Sequence, residues 1–443
     1  MAPQIKTELP GPQSKRFVEL SRRYEPHSMS DQVPLVWERA EDVWITDVDG
    51  NVFLDFSSGV LVTNVGHCHP RYVEAIREQA GKLFNCYDFV NPNRVLLAEK
   101  LVQLTPPHLN KAFLLTTGCE ATESCVKMAR RFHEGYEILT FGGAFHGRLY
   151  GAMAFGGNVG VKRGFGPLMP GVLMAPFPYC YRCPLGQKLE TCDLACIDYL
   201  DYVVKTQSTG ALCAVITEPY QGGAGSIIPP PGWFERLDEW RRERGMLLIV
   251  DEVQSSFGRT GKWFAIEHWG LEPDLIALGK GLGSGVPCSA VVGRAEIMDV
   301  LKPGEMSSTN GGNPLSCAAG LAALEIIDRE GLVENARVVG EAMLAGFREI
   351  EQRSPILGDV RGMGLAIGLE IVEDKASKTP APELTKAVIW ECYQRGLCLI
   401  APIGFYGNVI RVAPPLTIER NWAEWGVGII GEALEAVARQ AGK

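Results

Sequence analysis

The sequence predicts an α/β protein built on a mostly parallel sheet, with a smaller α+β domain assembled from its N- and C-terminal segments. Three observations predict it. Short apolar runs alternate with amphipathic helical patterns through the middle of the chain, as strands joined by crossover helices do. Four of those runs, KAFLLTTG, ALCAVITEP, MLLIVDEVQ and DLIALGK, end abruptly at a chemically capable residue, namely Gly118, Glu218, Asp251 and Lys280. From about Leu324 the alternation gives way to long helices and a glycine-rich strand pair. A chain of 443 residues is long enough to close two cores.

The elements follow in order. The opening MAPQIKTELPGPQSK is polar and proline-punctuated, lacks the apolar stretch of a secretory signal, and reads as a loose arm. VWITDVDGNVFLDFSSG reads as a hairpin, two β-rich runs around Asp49-Gly50. The alternating α/β region comes next. A helix over Leu332 to Arg353 leads into GDVRGMGLAIGLEIV, a strand pair, followed by helix, strand and final helix. The expected division is an N-terminal arm and small-domain segment over 1–65, a large domain over 66–325 and a C-terminal small domain over 326–443.

Composition narrows the function. A hydrophobic content of 46% and a charged content of 21% are those of a globular protein. A net charge of -9 argues against nucleic-acid binding, which needs basic patches. No apolar run is long enough for a bilayer, so a cytoplasmic location is expected. The 13 cysteines, an odd number without a signal peptide, suggest free thiols. Cys213 and Cys317 sit singly in apolar runs and read as small core residues. Cys180, Cys183, Cys192 and Cys196, in PYCYRCPLGQKLETCDLAC, are different. Four thiolates so spaced can hold zinc or an iron–sulfur cluster; the alternative is a surface insertion with free thiols.

In an open parallel sheet, ligands sit beyond the carboxyl ends of the strands, so the four run-ending residues can converge on one site. Lys280 precedes three closely spaced glycines, Gly281, Gly283 and Gly285, and a partly desolvated lysine there can form a Schiff base. By itself an exposed lysine in a glycine-rich loop is the commoner reading. Asp251 can hold a proton on a heterocyclic nitrogen, or merely cap a helix. Gly118 and Cys119 open a helix whose free amides suit a phosphate. Phe145 and His146, in AFHGR, offer an aromatic face for a flat cofactor or simple loop packing. Arg411, a cation inside VIRVAPPL, needs an anion, either a substrate carboxylate or a structural acid. Arg148 can serve a second carboxylate or stay solvated.

Taken together these pieces resemble the class III (ornithine/4-aminobutyrate type) aminotransferases, of pyridoxal-phosphate (PLP) fold type I. SSGVLVTNVGHCHP, TTGCEATESCVKMAR, AFHGR, TEPYQGGAG, LLIVDEVQSSFGRTG, ALGKGLGSGVP, STNGGNP, GDVRGMGLAIGLE and RVAPPLTI occur in family order, over nearly the whole chain from about Val43. The resemblance implies a large domain with a mostly parallel seven-stranded sheet. It implies pyridoxal 5'-phosphate held by Lys280 as a Schiff base, Asp251 on the pyridine nitrogen, Gln254 on the ring hydroxyl and Phe145 stacked on the ring. Gly118 and Cys119 would take the phosphate, and Thr309 would reach the phosphate of a neighbouring subunit. A homodimer with shared sites is thereby implied, with pairing of dimers into a tetramer left open. Arg411 would clamp the substrate carboxylate, and Glu218 would neutralise it for donors lacking one. Val60 and Leu61 would shape the substrate pocket.

The reaction implied moves an amino group from an amino acid or small amine to 2-oxoglutarate or pyruvate. Arg148 favours 4-aminobutyrate-like donors. TEPYQGGAG lacks the acid of the commoner EPxQGEGG pattern, and Asn310 stands where an aromatic is usual. An amino-acid racemase or epimerase on the same scaffold is the alternative. A dialkylglycine-type decarboxylase ranks third, because Val60 and Phe145 replace the glutamine and tryptophan of that branch.

Overall fold

The structure, a computed structural model, describes residues 2–443. Its strands, in chain order, are β1 (Trp37–Glu41), β2 (Trp44–Asp47), β3 (Val52–Asp55), β4 (Lys111–Leu115), β5 (Glu137–Phe141), β6 (Val172–Ala175), β7 (Leu212–Thr217), β8 (Leu247–Asp251), β9 (Leu275–Leu278), β10 (Ser289–Gly293), β11 (Leu357–Met363), β12 (Ala366–Ile371), β13 (Leu397–Cys398) and β14 (Val409–Val412). The chain divides into two compact units. One comprises 1–70, 259–261 and 330–443; the other comprises 71–258 and 262–329.

The second unit holds a seven-stranded sheet in the order β4-β10-β9-β8-β7-β5-β6. Strands β6, β5, β7, β8 and β9 are parallel; β10 runs antiparallel to both β9 and β4. Because β10 is the one reversed strand, β4 points the same way as the parallel set, and its carboxyl end joins theirs. Strands β5, β8, β9 and β10 are buried at every position, which is why LLIV of β8 and LIAL of β9 read as continuous apolar runs instead of alternating ones. The helix Gly118–His133 packs Ala121, Cys125 and Ala129 into a core with Ile138, Ile216, Ile249 and Ala277. Cys213 and Cys317 are fully buried, as the apolar runs around them predict.

In the first unit, β2 and β3 form the hairpin expected around Asp49-Gly50, pairing Trp44 with Leu54 and Ile45 with Phe53. Strand β1 extends it antiparallel, and β13 joins the far side of β3 in parallel. The glycine-rich pair β11–β12 is an antiparallel hairpin extended by β14. The long helix spans Leu332–Arg353, and Arg420–Gln440 is the final one.

Candidate active site

The carboxyl ends of β4, β7, β8 and β9 bring the run-ending residues together. Gly118 and Gly279 show how closely. A Cβ on Gly279 would lie 3.2 Å from a Val253 methyl and 3.7 Å from the Gly118 Cα; one on Gly118 would lie 2.9 Å from the same Val253 methyl. TTGC, DEV and LGK, far apart in sequence, therefore meet at one point, where a larger residue at Gly118 or Gly279 would press on Val253. Lys280 follows Gly279 directly. It is half-buried and has a φ of 42°, left-handed backbone that costs a non-glycine residue about 1 kcal/mol. A strained lysine at a strand end is what a constrained functional position looks like.

Asp251 closes β8 and is buried. Its Oδ1 accepts the Val253 N–H at 3.0 Å, and its Oδ2 lies 2.7 Å from His146 Nδ1. His146 is itself buried, with its side chain fully enclosed. A hydrogen bond from Nδ1–H orients the imidazole and keeps the carboxylate paired in a low-dielectric place, where it holds its field more strongly than in water.

Glu218 follows β7. It accepts the Phe145 N–H at 2.9 Å and the Gly222 N–H at 3.1 Å. Burial pushes its carboxyl up to about 7; nearby His146 opposes that shift, and the Asp251 charge adds to it. Phe145 remains partly exposed at 36%. Gln254 packs against Gly222 so tightly that a Cβ there would overlap its Oε1 at 1.7 Å. Glu218 thus ties the backbone of Phe145 to that of Gly222, which Gln254 abuts, while His146, next to Phe145 in sequence, pairs with Asp251.

Thr117 caps the helix Gly118–His133: its hydroxyl accepts the Glu120 N–H, and the Glu120 carboxylate accepts the Thr117 N–H at 2.7 Å. That capping box occupies the third helical amide. Among the described residues no acceptor takes the Gly118 or Cys119 amide, so these two remain for an anion at the positive end of the helix.

The sequence did not point to Thr122 or Glu123. Thr122 Oγ1 donates to the His146 carbonyl at 2.8 Å, Glu123 Oε1 accepts the Ala152 N–H at 2.9 Å, and Cys119 Sγ accepts the Arg148 N–H at 3.3 Å. Positions 119, 122 and 123 share one helix face, so a single face holds the loop that carries Phe145, His146 and Arg148. The available signal was a polar i, i+3, i+4 set on a helix with an apolar inward stripe. Arg148 is exposed, and its guanidinium sits 5.7 Å from the Phe145 ring centroid. Thr309 is exposed; its carbonyl accepts from Asn85 Nδ2 at 3.1 Å.

In the other unit, Arg411 lies in β14 and is buried. Val60 is 40% exposed and Leu61 is buried. Both have positive φ, which neither a β-branched valine nor a leucine foretells.

The expectation of zinc or an iron–sulfur cluster at the cysteines is corrected by the structure. Cys180, Cys183, Cys192 and Cys196 line one small cavity with Pro178 and Tyr179, and all four are half-buried free thiols. Among the described residues, no group of three or more His, Cys, Asp or Glu side chains is placed to hold a metal ion. Burial, then the neighbouring thiols, raises the Cys180 thiol to about 11.

With this geometry in view, comparison with known proteins is informative. The family described as "Aminotransferase class-III" matches residues 26–434. A probable 4-aminobutyrate aminotransferase of Bacillus subtilis is 38% identical, over 90% of this chain and 92% of its own. An alanine/serine racemase of Pyrococcus horikoshii is also 38% identical, over 98% of this chain and 93% of its own. An (S)-enantioselective omega-transaminase of Thermomicrobium roseum superposes with a TM-score of 0.89 at 32% identity, covering 96% of this chain and 98% of that one. The chain belongs to the class III aminotransferase family.

Proposed function

We propose that this chain binds pyridoxal phosphate and transfers the amino group of a 4-aminobutyrate-like or other omega-amino donor to 2-oxoglutarate or pyruvate. The observation that carries the reading is the buried Asp251–His146 pair beside the point where Gly118, Val253 and Gly279 meet, one residue before Lys280. The residues fit the group. Two uncommitted helix amides suit its phosphate, a buried carboxylate suits its ring nitrogen, and the Phe145 ring is partly exposed. When bound, PLP supplies an aldehyde for the amino group and a ring that takes up negative charge.

The chain's own residues do the rest. Lys280 Nζ would be the amine that holds the cofactor and, when free, the base that moves the proton of the donor carbon. Asp251 would keep the ring nitrogen protonated, and His146 keeps Asp251 oriented. Gln254 supports the ring hydroxyl. Arg411 takes the donor carboxylate and Arg148 a distal one. Glu218, with its carboxyl near neutrality, answers changes of charge in the pocket. Names of relatives support the donor class, since one acts as a probable 4-aminobutyrate aminotransferase.

A homodimer is part of this reading. Phe84, Phe89, Val90, Val95 and Leu96 leave an exposed apolar stretch, with Phe89 at 79% and Val90 at 82%, that a second copy would cover. No described helix is long and apolar enough to cross a membrane. The 13 free thiols suit the reducing cytoplasm.

The racemase of Pyrococcus horikoshii favours a second reading, racemisation on the same scaffold. One experiment separates the two. The purified protein with PLP is incubated with single amino acids and amines and no oxo acid. Loss of the cofactor's visible band with stoichiometric carbonyl product supports transamination and names the donor. Loss of optical activity with the band retained means racemisation and overturns the first reading.

A further inference from the structure

Ser58, Gly59, Val60 and Leu61 have φ values of 47°, 56°, 72° and 59°. The Leu61 N–H donates to Ser57 O at 3.0 Å and the Val62 N–H to Ser58 O at 2.8 Å, so the segment is one turn of left-handed helix. In L-residues this conformation presses Cβ against the following carbonyl, and a β-branched residue there is an outlier. Burial of Val60 does not account for the strain, because Val60 is 40% exposed. Such a turn persists only where its surroundings over-determine it, and it then presents something.

Two buried charged groups do the determining. Asp55 Oδ1 accepts the Ser57 N–H at 2.7 Å, the Ser57 hydroxyl at 2.6 Å and the Ser58 N–H at 3.2 Å, while Oδ2 meets His67 Nε2 at 2.8 Å. The second is Arg259, with no exposed surface. Its Nη2 donates to Asn64 Oδ1 at 2.9 Å and to Ser58 Oγ at 3.4 Å; its Nη1 donates to Pro414 O at 2.6 Å and Leu365 O at 3.1 Å. Ser58 Oγ in turn donates to Ala413 O at 2.7 Å. Ala413 lies two residues beyond Arg411. One guanidinium therefore bonds the exit of the left-handed turn and the segment leaving β14, and all these residues belong to the same unit.

We infer that Arg259 is a positioning residue for substrate recognition: it locks the turn that presents Val60 to the segment that follows Arg411, fixing the spacing between the two side chains. The inference rests on the proposed roles of Arg411 as carboxylate clamp and Val60 as pocket wall. A carboxylated amino donor needs both at once, one for charge and one for shape. A donor without that carboxylate needs only the second. Loosening the clamp should therefore weaken binding of carboxylated donors selectively while leaving the Lys280–Asp251 machinery intact.

The test is steady-state kinetics of the PLP-loaded enzyme with a carboxylated donor and with an amine lacking the carboxylate, in Arg259→Lys, Ser58→Ala and Arg411→Lys. Expected for Arg259→Lys is a KM about tenfold higher or more for the carboxylated donor. Its kcat and visible cofactor band should be unchanged, and KM for the amine should move less than twofold. Ser58→Ala should shift KM the same way by a smaller factor, and it carries the test if Arg259→Lys does not fold. Equal losses with both donors, or a fall in kcat at constant KM, would mean a purely structural arginine and overturn the inference. A silent Arg411→Lys would instead show that the underlying assignment of Arg411 is wrong, and the inference falls with it. A strong Arg411→Lys beside silent Arg259→Lys and Ser58→Ala would overturn the inference alone.

Discussion

His146 Nδ1 lies 2.7 Å from Asp251 Oδ2, with both side chains buried, so that AFHGR and DEVQ, 105 residues apart, share one hydrogen bond at the centre of the site. Removing either partner leaves the other buried and unpaired, which costs more than the bond itself contributes. Asp251→Asn should lower kcat by about 10²–10³, the size of effect seen when one preorganised electrostatic group is lost. His146→Asn should have a smaller effect on kcat. Single-turnover kinetics with the donor checks both, because a loss confined to cofactor affinity would be recovered by added PLP.

Lys280 sits at left-handed φ directly after the glycine that abuts Val253 and the start of the helix Gly118–His133. Lys280→Ala is expected to abolish turnover and the covalently held visible chromophore while leaving PLP weakly bound. Borohydride treatment of the wild-type protein followed by peptide mapping should place the modification on Lys280. A label on any other lysine would refute the assignment.

The Glu218 carboxyl rises from its ordinary 4.5 to about 7, and so does that of Glu252, in each case chiefly through burial. The sign follows from linkage. Between pH 4.5 and 7 the folded chain keeps protons on these groups that the unfolded chain has lost, so stability falls as pH rises through that window and is lowest above it. The effect for each group is on the order of a few kcal/mol. Glu218→Gln should therefore flatten the decline in Tm between pH 5 and pH 8 measured by calorimetry. An unchanged slope would mean the carboxyl titrates normally.

Gly222 leaves its Cβ position to Gln254 Oε1, at 1.7 Å. Gly222→Ala must push Gln254 aside, an overpacking that costs about 1–3 kcal/mol. If Gln254 supports the cofactor ring, PLP affinity should fall with little change in the apoenzyme's fold. Fluorescence titration with PLP, alongside far-ultraviolet circular dichroism, separates the two effects.

The cysteine cavity makes a plain analytical prediction. Elemental analysis of protein purified without chelators should find zinc and iron far below one atom per chain. Replacing Cys180, Cys183, Cys192 and Cys196 together by serine should leave turnover within a factor of about two, since each change is nearly isosteric and none of the four touches Asp251, His146 or Glu218. Stoichiometric metal would reverse the correction drawn from the side-chain placement.

Much of this molecule was legible in the amino-acid string because its signals are local. Apolar runs buried on both faces of a parallel sheet end where the sheet ends, and Gly118, Glu218, Asp251 and Lys280 stand at those ends. The Asp49-Gly50 hairpin and the helix Leu332–Arg353 are likewise short-range consequences of turn chemistry and periodicity. Tertiary structure alone decided which of these ends touch and what holds them. Nothing near Asp251 in sequence names His146 as its partner, and nothing in SSGVLVTN signals a left-handed turn, because valine and leucine favour the opposite backbone. Arg259, between a glycine and a threonine, reads as a loop cation until folding buries it among four acceptors. The cysteines show the converse. Their spacing suits a metal, but spacing along a chain does not set the distances and directions between thiols, which the packing of 178–196 fixes in three dimensions.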